Sequence, residues 1–376
     1  MIRHALALIA LSALLVACGA EEAAKPDANP HPVAGNFSPD DTRLEECSDR
    51  PCLEQAFGNV SFEEGPRRAL TLFDARIASD REVEAGCHRI AHSIGSAALA
   101  RYDGNVARAF AEGSSSCWSG YYHGILERAL IGTSSKAELI TVTRRLCADE
   151  GVRRNTFVLY QCVHGIGHGL MIHSGLNLPL SLEICEQQQT AWDQTSCDGG
   201  VFMENFNSSY GVQSKFLKED DLVYPCNAVK ERHKLYCYLQ VTDRLLGETG
   251  YDWKRTADAC ARVERNWRAT CFQSYGRSAS GIARLDAGKL LETCAIVEAA
   301  WRGECIFGAV RDITSNDAGA ARAGRFCERV ETSLRSRCFN GAGTILADLE
   351  PDPARRRTAC AAITQRYLEQ CLLRAS

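Results

Sequence analysis

The sequence predicts an all-α protein: a disulfide-stapled array of helical hairpins, an α-solenoid that is tetratricopeptide-like in architecture only. Three observations predict it. The C-terminal cysteines pair at constant spacing, as Cys226/Cys237, Cys260/Cys271, Cys294/Cys305, Cys327/Cys338 and Cys360/Cys371, each 11 positions apart. The pairs recur at 34, 34, 33 and 33 residues, the mark of a solenoid repeat. Fixed offsets also carry like residues: Val229, Val263, Val297, Val330 and Ile363 stand three after the first cysteine, and His233, Trp267, Trp301, Leu334 and Tyr367 seven after it. Cysteine, Val and Trp at intervals of three to four read as one helix face.

Taken in chain order, the N-terminus comes first. Arg3 precedes an apolar run from Ala5 to Ala17 that ends in Leu15-Val16-Ala17-Cys18. The run suits a signal-peptide core and is too short for a membrane span. Its end resembles the lipobox of bacterial lipoproteins, which implies cleavage after residue 17, acylation of Cys18 and anchoring in a lipid bilayer. Gly19 follows, not Asp, and by the same resemblance that implies sorting to the outer membrane, facing the periplasm. Residues 18–42, rich in Ala, Glu, Pro, Asp and Asn, read as a flexible tether.

Composition agrees with an exported chain. Of 19 cysteines, removing Cys18 leaves an even number, enough for nine disulfides in an oxidising compartment. No Cys-x-x-Cys occurs, which argues against a zinc ribbon. The net charge is -4 with both signs interspersed, which excludes the basic stripe of a nucleic-acid binder.

The spacing also fixes where the chain turns. Residues 11 apart on one helix would lie about 16 Å apart at 1.5 Å per residue. A disulfide needs Cα atoms within about 7 Å. Each unit is therefore a helix ending near the first cysteine, a turn, and a second helix beginning near the second. The pattern extends upstream with longer spacings: Cys185/Cys197, Cys147/Cys162, Cys87/Cys117 between neighbouring helices, and Cys47/Cys52 in a small loop. The reading divides the chain into 1–17 signal peptide, 18–42 tether, 43–215 a His/Gly-rich helical half, and 216–376 the regular repeats.

The chemistry concentrates in the first half. Three segments after landmark cysteines carry i, i+4 pairs: His88/His92, His123/Glu127 and His164/His168. Such a pair lies one turn apart on one face and can chelate a metal ion. Glu204 occupies the related place after Cys197. Equivalent positions on stacked helices would converge on one concave surface. Gly120, Gly165 and Gly200 share the position three after the cysteine, with Gly124, Gly167 and Gly169 nearby. Glycine costs about 1 kcal/mol inside a helix relative to Ala, so this density points to close backbone approach or room for a ligand.

His88, His92, His123, His164 and His168 are the expected metal ligands, for Zn, Fe or Cu. Five histidines with Glu127 and Glu204 exceed one tetrahedral site and fit a dinuclear centre or a metal with a general base. Glu127, Glu204 and Tyr122 are the expected catalytic groups, Tyr122 as a hydrogen-bond donor or redox group. An ion with an open position would make its water a nucleophile near neutral pH. His173, five residues past His168, falls off that face. Arg277, Arg311 and Asp312 stand at related offsets among the C-terminal repeats and read as structural or partner-binding. The chain lacks the nucleophile elbow Gly-x-Ser-x-Gly, a phosphate loop and a haem-attachment motif.

Three functions remain open: a metal-dependent hydrolase or oxidoreductase, a metal-handling lipoprotein, and a stapled scaffold binding protein or polysaccharide on its concave face. The asymmetric distribution of histidines favours the first.

Overall fold

The structure, a computed structural model, describes residues 36–114, 116–208, 212–283, 286–316 and 320–373. The signal peptide, Cys18 and the tether up to residue 35 lie outside the described residues. Those residues form helices and no strand, and none of the helices is long and apolar enough to cross a membrane.

The chain opens with α1 (Arg50–Glu63), α2 (Pro66–Ile77) and α3 (Arg81–Ala85). The histidine-bearing half follows: α4 (Cys87–Arg101), α5 (Val106–Phe110), α6 (Ser116–Ala129), α7 (Lys136–Leu146), α8 (Glu150–Arg154), α9 (Thr156–His173), α10 (Leu178–Cys185) and α11 (Ala191–Phe206). The repeats are α12 (Glu231–Thr249), then the pairs α13 (Trp253–Arg262) with α14 (Arg268–Ile282), α15 (Ala287–Ala295) with α16 (Ala299–Asn316), α17 (Ala321–Arg329) with α18 (Thr332–Leu349), and α19 (Pro353–Ile363) with α20 (Leu368–Leu372).

The longer helices α1, α4, α6, α9, α11, α12, α14, α16 and α18 stack in succession, and the shorter ones pack against them. The stack curls far enough for α18 to touch α9, which brings the C-terminal repeats back toward the histidine half.

The disulfides pair as the spacing requires. Upstream these are Cys47–Cys52, Cys87–Cys117, Cys147–Cys162 and Cys185–Cys197. In the repeats, Cys226–Cys237 holds its Cα atoms 5.3 Å apart, Cys260–Cys271 5.5 Å, Cys294–Cys305 5.7 Å, Cys327–Cys338 5.6 Å and Cys360–Cys371 5.8 Å. Each regular bridge is buried, closing its hairpin from the inside.

Where the second cysteine sits in its helix differs from expectation. Only Cys271 and Cys371 lie in the first turn of their helices, α14 and α20. Cys237, Cys305 and Cys338 lie well inside α12, α16 and α18, which start upstream at Glu231, Ala299 and Thr332. The turn is therefore tighter than the spacing suggests, and the second helix uses part of the interval between the cysteines. The first helix is also missing from one unit: Cys226 stands in a run of turns before α12, not in a helix.

In the Cys260 and Cys327 units the cysteine and Val do not share a helix, whereas Cys360 and Ile363 both lie in α19. Val263 caps α13 with extended backbone (φ -62°, ψ 164°), Val330 does the same after α17 (ψ 146°), and Trp267 lies in a 3-10 turn before α14. The chain must reverse within eleven residues, and the β-branched residue supplies the extended step while remaining buried in the hairpin core.

The aromatic of each turn has another task. Trp267 stacks on Tyr238 at 5.6 Å, Trp301 on Phe272 at 5.4 Å and Tyr367 on Phe339 at 5.1 Å. In each case the partner follows the second cysteine of the preceding unit (Cys237, Cys271 or Cys338), so one unit's turn is pinned to its neighbour's long helix. Outer helices start on capping aspartates, Asp252, Asp286 and Asp352, each worth about 1 kcal/mol. The long helices α12, α14 and α18 have no side-chain cap; the adjoining hairpin turn fixes their start.

Glycines set the distance between neighbouring long helices. A Cβ on Gly95 would lie 1.9 Å from the Tyr121 carbonyl oxygen, and one on Gly124 would lie 1.9 Å from that of His92. The same reciprocal contact joins Gly167 to Cys197 and Gly200 to His164, at 2.1 and 2.0 Å. It recurs between Gly276 and Cys305, and between Gly308 and Gln273. Helices α4/α6, α9/α11 and α14/α16 are thus in backbone contact, as the glycine density predicts.

Candidate metal centre

Close approach of α4 to α6 and of α9 to α11 brings side chains on successive helices into one buried cluster. The i, i+4 pairs place His88 and His92 on one face of α4, and His164 and His168 on one face of α9. His123 on α6 stands between them. Its ring centroid lies 5.4 Å from that of His88, 5.6 Å from His92, 5.9 Å from His164 and 4.0 Å from His168, on which it stacks.

The hydrogen bonds fix the tautomers. His168 donates from Nδ1 to Glu204 Oε2 at 2.9 Å, and His92 from Nδ1 to Glu127 Oε2 at 3.2 Å. His88 donates from Nδ1 to the Cys117 carbonyl at 2.7 Å. The Ser196 carbonyl accepts from His164. In His88, His92 and His168 the proton is held at Nδ1, and Nε2 is left as an acceptor. Yet His92 Nε2 lies 3.2 Å from His88 Nε2, and His168 Nε2 lies 3.2 Å from His164 Nε2. In the first pair two lone pairs face each other, and in the second the lone pair of His168 faces His164 Nε2. Two nitrogens bound to one tetrahedral zinc at the usual bond length are about 3.3 Å apart.

His123 completes both pairs. Its nitrogens come within 4.8 Å of the donor nitrogens of His88 and His92, and likewise of His164 and His168. Both its ring nitrogens are buried without a hydrogen-bond partner. Other buried side-chain atoms lack partners too, Ser96 Oγ and Tyr238 Oη among them, but His123 is the histidine among the described residues for which both ring nitrogens do.

Electrostatics keep His88, His123, His164 and His168 neutral. Burial is the largest cause throughout, with neighbouring imidazoles adding to it: His88 falls to about 4, mainly by desolvation and then by His92. Desolvation takes His168 to about 3. His123 and His164 are held well below the ordinary range by desolvation, with His168 the next cause for each. A metal competes with protons for imidazole, so neutral rings at neutral pH are ready ligands.

The structure alters the roles expected of three side chains. Glu127 and Glu204 are buried and hydrogen-bonded to His92 and His168, where they would orient those rings. Such carboxylate–histidine pairs set the tautomer and raise the basicity of the ligating nitrogen. Tyr122 lies outside the cluster. Its ring packs on Phe110 at 4.9 Å, Tyr121 and Phe157, and burial pushes its phenol up to about 12. Neighbours on a helix are about 100° apart, so a residue adjoining His123 turns to a different face. His173 bonds Thr133, off the site as expected.

One residue escapes the sequence reading. Tyr160 lies one turn before His164, its ring stacked on that imidazole at 5.2 Å and its hydroxyl 3.5 Å from Nδ1. The i, i+4, i+8 series Tyr160, His164, His168 is the signal that could have found it. Arg277 and Arg311 of the C-terminal repeats lie within electrostatic reach of Tyr160, and Arg277 is paired with Asp243 at 2.5 Å.

Compared with known protein families, with curated proteins and with solved structures, the chain finds no match.

Proposed function

We propose that this chain is a lipid-anchored extracytoplasmic metalloprotein, whose His123, His164 and His168 bind a transition-metal ion, Zn, Fe or Cu, as the centre of a metal-dependent enzyme. One observation carries the reading: Nε2 of His164 and Nε2 of His168 face each other at 3.2 Å while the Nδ1 proton of His168 is engaged by Glu204. A cation between them would be held by both nitrogens. His123, buried with both nitrogens unpartnered, supplies the third.

Three nitrogen donors leave a fourth tetrahedral position, the arrangement of catalytic zinc sites as opposed to closed structural ones. When bound there, the ion supplies Lewis acidity or electron exchange, for a hydrolase or an oxidoreductase. The chain's own groups divide the remaining work. Glu204 holds the proton of His168 at Nδ1. Tyr160 stacks against His164 and presents a hydroxyl at the edge of the cluster. The surrounding apolar helices exclude water.

The same burial favours a second reading, a lipoprotein that holds metal without turnover, since His92, His123, His164 and His168 are all under 5 % exposed. The compartment is supported by the nine disulfides, which suit an oxidising environment. The anchor and its outer-membrane destination rest on the lipobox and Gly19.

The test is elemental analysis of the exported, detergent-extracted chain beside His164→Ala/His168→Ala. Stoichiometric transition metal that is reduced in the variant, with helicity unchanged, supports the reading. Absence of metal from the parent chain, even after incubation with Zn, Cu and Fe salts, overturns it. The stapled scaffold for protein or polysaccharide would then stand alone.

A further inference from the structure

We infer that the cluster is a dinuclear centre in which the imidazole of His123 bridges two ions, one ring nitrogen to each. The inference rests on the metal-binding reading and goes beyond it: a second ion, held by His88 and His92, and a shared ligand.

The argument starts from the repetition of one unit of structure. On α4, His92 is oriented by a glutamate of the next long helix, Glu127, and meets His88 Nε2 to Nε2 at 3.2 Å. On α9, His168 is oriented by a glutamate of the next long helix, Glu204, and meets His164 Nε2 to Nε2 at 3.2 Å. The glutamate follows its histidine by 35 and 36 residues, close to the repeat period. Each pair thus has its own carboxylate, its own opposed Nε2 atoms and its own ligand spacing.

What the pairs lack is a third donor, and among the described residues His123 is the one placed to give one to each. It belongs to α6, which packs against both α4 and α9. It joins a set of three donors with His88 and His92 and another with His164 and His168. A ligand serving one ion alone would keep its remaining ring nitrogen hydrogen-bonded, as His88, His92 and His168 do. Neither nitrogen of His123 has such a partner. With Nδ1 given to one ion and Nε2 to the other, both buried nitrogens are satisfied. Both new bonds use nitrogen lone pairs, and the ring's one N–H proton passes to solvent as the second ion binds.

No other donor among the described residues offers the same service. The carboxylates of Glu127 and Glu204 receive Nδ1 protons, and Tyr160 packs on His164 and Trp192. His233, the other fully engaged histidine, is held by Asp198 and Glu186 at 2.7 and 2.9 Å and leaves no nitrogen for a metal.

The experiment uses the full chain in detergent, loaded with Cu(II) or Zn(II) chloride and desalted. Metal content is read by elemental analysis and spin coupling by electron paramagnetic resonance. The expected result is two equivalents of either metal, with most of the Cu(II) signal lost to coupling through the imidazolate. His88→Gln/His92→Gln should lose one equivalent and show a full signal from the copper that remains. His164→Gln/His168→Gln should do the same for the other ion. His123→Ala, where it folds, should restore the signal of any copper it binds.

One equivalent in the parent chain overturns the bridge while leaving the metal-binding reading intact. Two equivalents with full, uncoupled signal overturn the bridge as well. No metal at all overturns both.

Discussion

Glu204 accepts the Nδ1 proton of His168 at 2.9 Å, and both side chains are closed off from solvent. This relationship decides which nitrogen of His168 faces the cluster. Glu204→Gln keeps the shape and removes the charge, and an amide can also present a donor that favours the opposite tautomer. Loss of such an outer partner costs roughly 10- to 100-fold in metal affinity. Competition with a chelator of known affinity measures it. An unchanged affinity would show that Glu204 is a bystander.

Gly124 and Gly200 test the packing that assembles the site. The atom a Cβ would strike is a backbone carbonyl, of His92 or His164 respectively, at 1.9 and 2.0 Å. Backbone cannot rotate aside as a side chain does, so Gly124→Ala or Gly200→Ala must spread two helices. The expected cost is about 3 kcal/mol or more, the upper end of overpacking, with metal affinity falling in parallel. Gly247→Ala is the control. That exposed glycine of α12 has open space around it, and the change should stabilise the chain by about 1 kcal/mol. Urea denaturation of the three variants gives the comparison.

His233 provides a pH-dependent contribution to stability. Its Nδ1 faces Asp198, its Nε2 faces Glu186, and Lys230 and Arg232 also reach Glu186. Burial alone would lower its pKa; the two carboxylates outweigh it and raise it. A histidine whose folded pKa is raised stabilises fully below the unfolded value, about 6.5, and that share is lost as pH rises through the folded pKa. His233→Gln should therefore cost about 2 kcal/mol at about pH 6 and less at about pH 9. Equal losses at both would contradict a protonated His233.

Much of this is legible in the sequence because it depends on short-range geometry. Cys260 and Cys271 can bridge only across a turn, so spacing alone predicts the hairpin. The same spacing does not say how long the turn is, which is why Cys237 and Cys338 sit deeper in their helices than Cys271 and Cys371 do. His164 and His168 must share a face because they are four apart. Long-range relations are not legible. That His123 serves both pairs depends on the distance between α6 and its two neighbours, which the reciprocal glycine contacts of α4 with α6 help to set and which no period reports. Tyr122 misleads because adjacency in sequence suggests adjacency in space, whereas the helix turns it toward Phe110. Glu127 and Glu204 are legible as residues but not as roles: the pattern places carboxylates near imidazoles without saying that each faces a ring's far nitrogen.

The lipobox makes a separate prediction. Radiolabelled fatty acid supplied to the expressing cells should enter the parent chain, and Cys18→Ser should abolish both the label and membrane retention. A soluble, unlabelled parent chain would point to a plain secretion signal.

The last prediction separates two kinds of staple. Cys294–Cys305 closes one hairpin, 11 residues long, among units pinned to one another by stacked aromatics. Replacing both cysteines with Ala should cost roughly 2–3 kcal/mol. In a repeat array that loss stays near the altered unit, so the metal content should not change. Cys87–Cys117 differs. It spans 30 residues and ties the start of α4 to the start of α6, and its loss should cost roughly 3–4 kcal/mol. It also steadies the Cys117 carbonyl that receives the His88 Nδ1 proton at 2.7 Å. Cys87→Ala/Cys117→Ala should therefore weaken metal binding at His88 and His92 while leaving His164 and His168 loaded. Calorimetry reads the first effect and elemental analysis the second. If both double variants kept the same metal content, the bridge at α4 would be a fastening and nothing more, and the orientation of His88 would have to come from α4 itself.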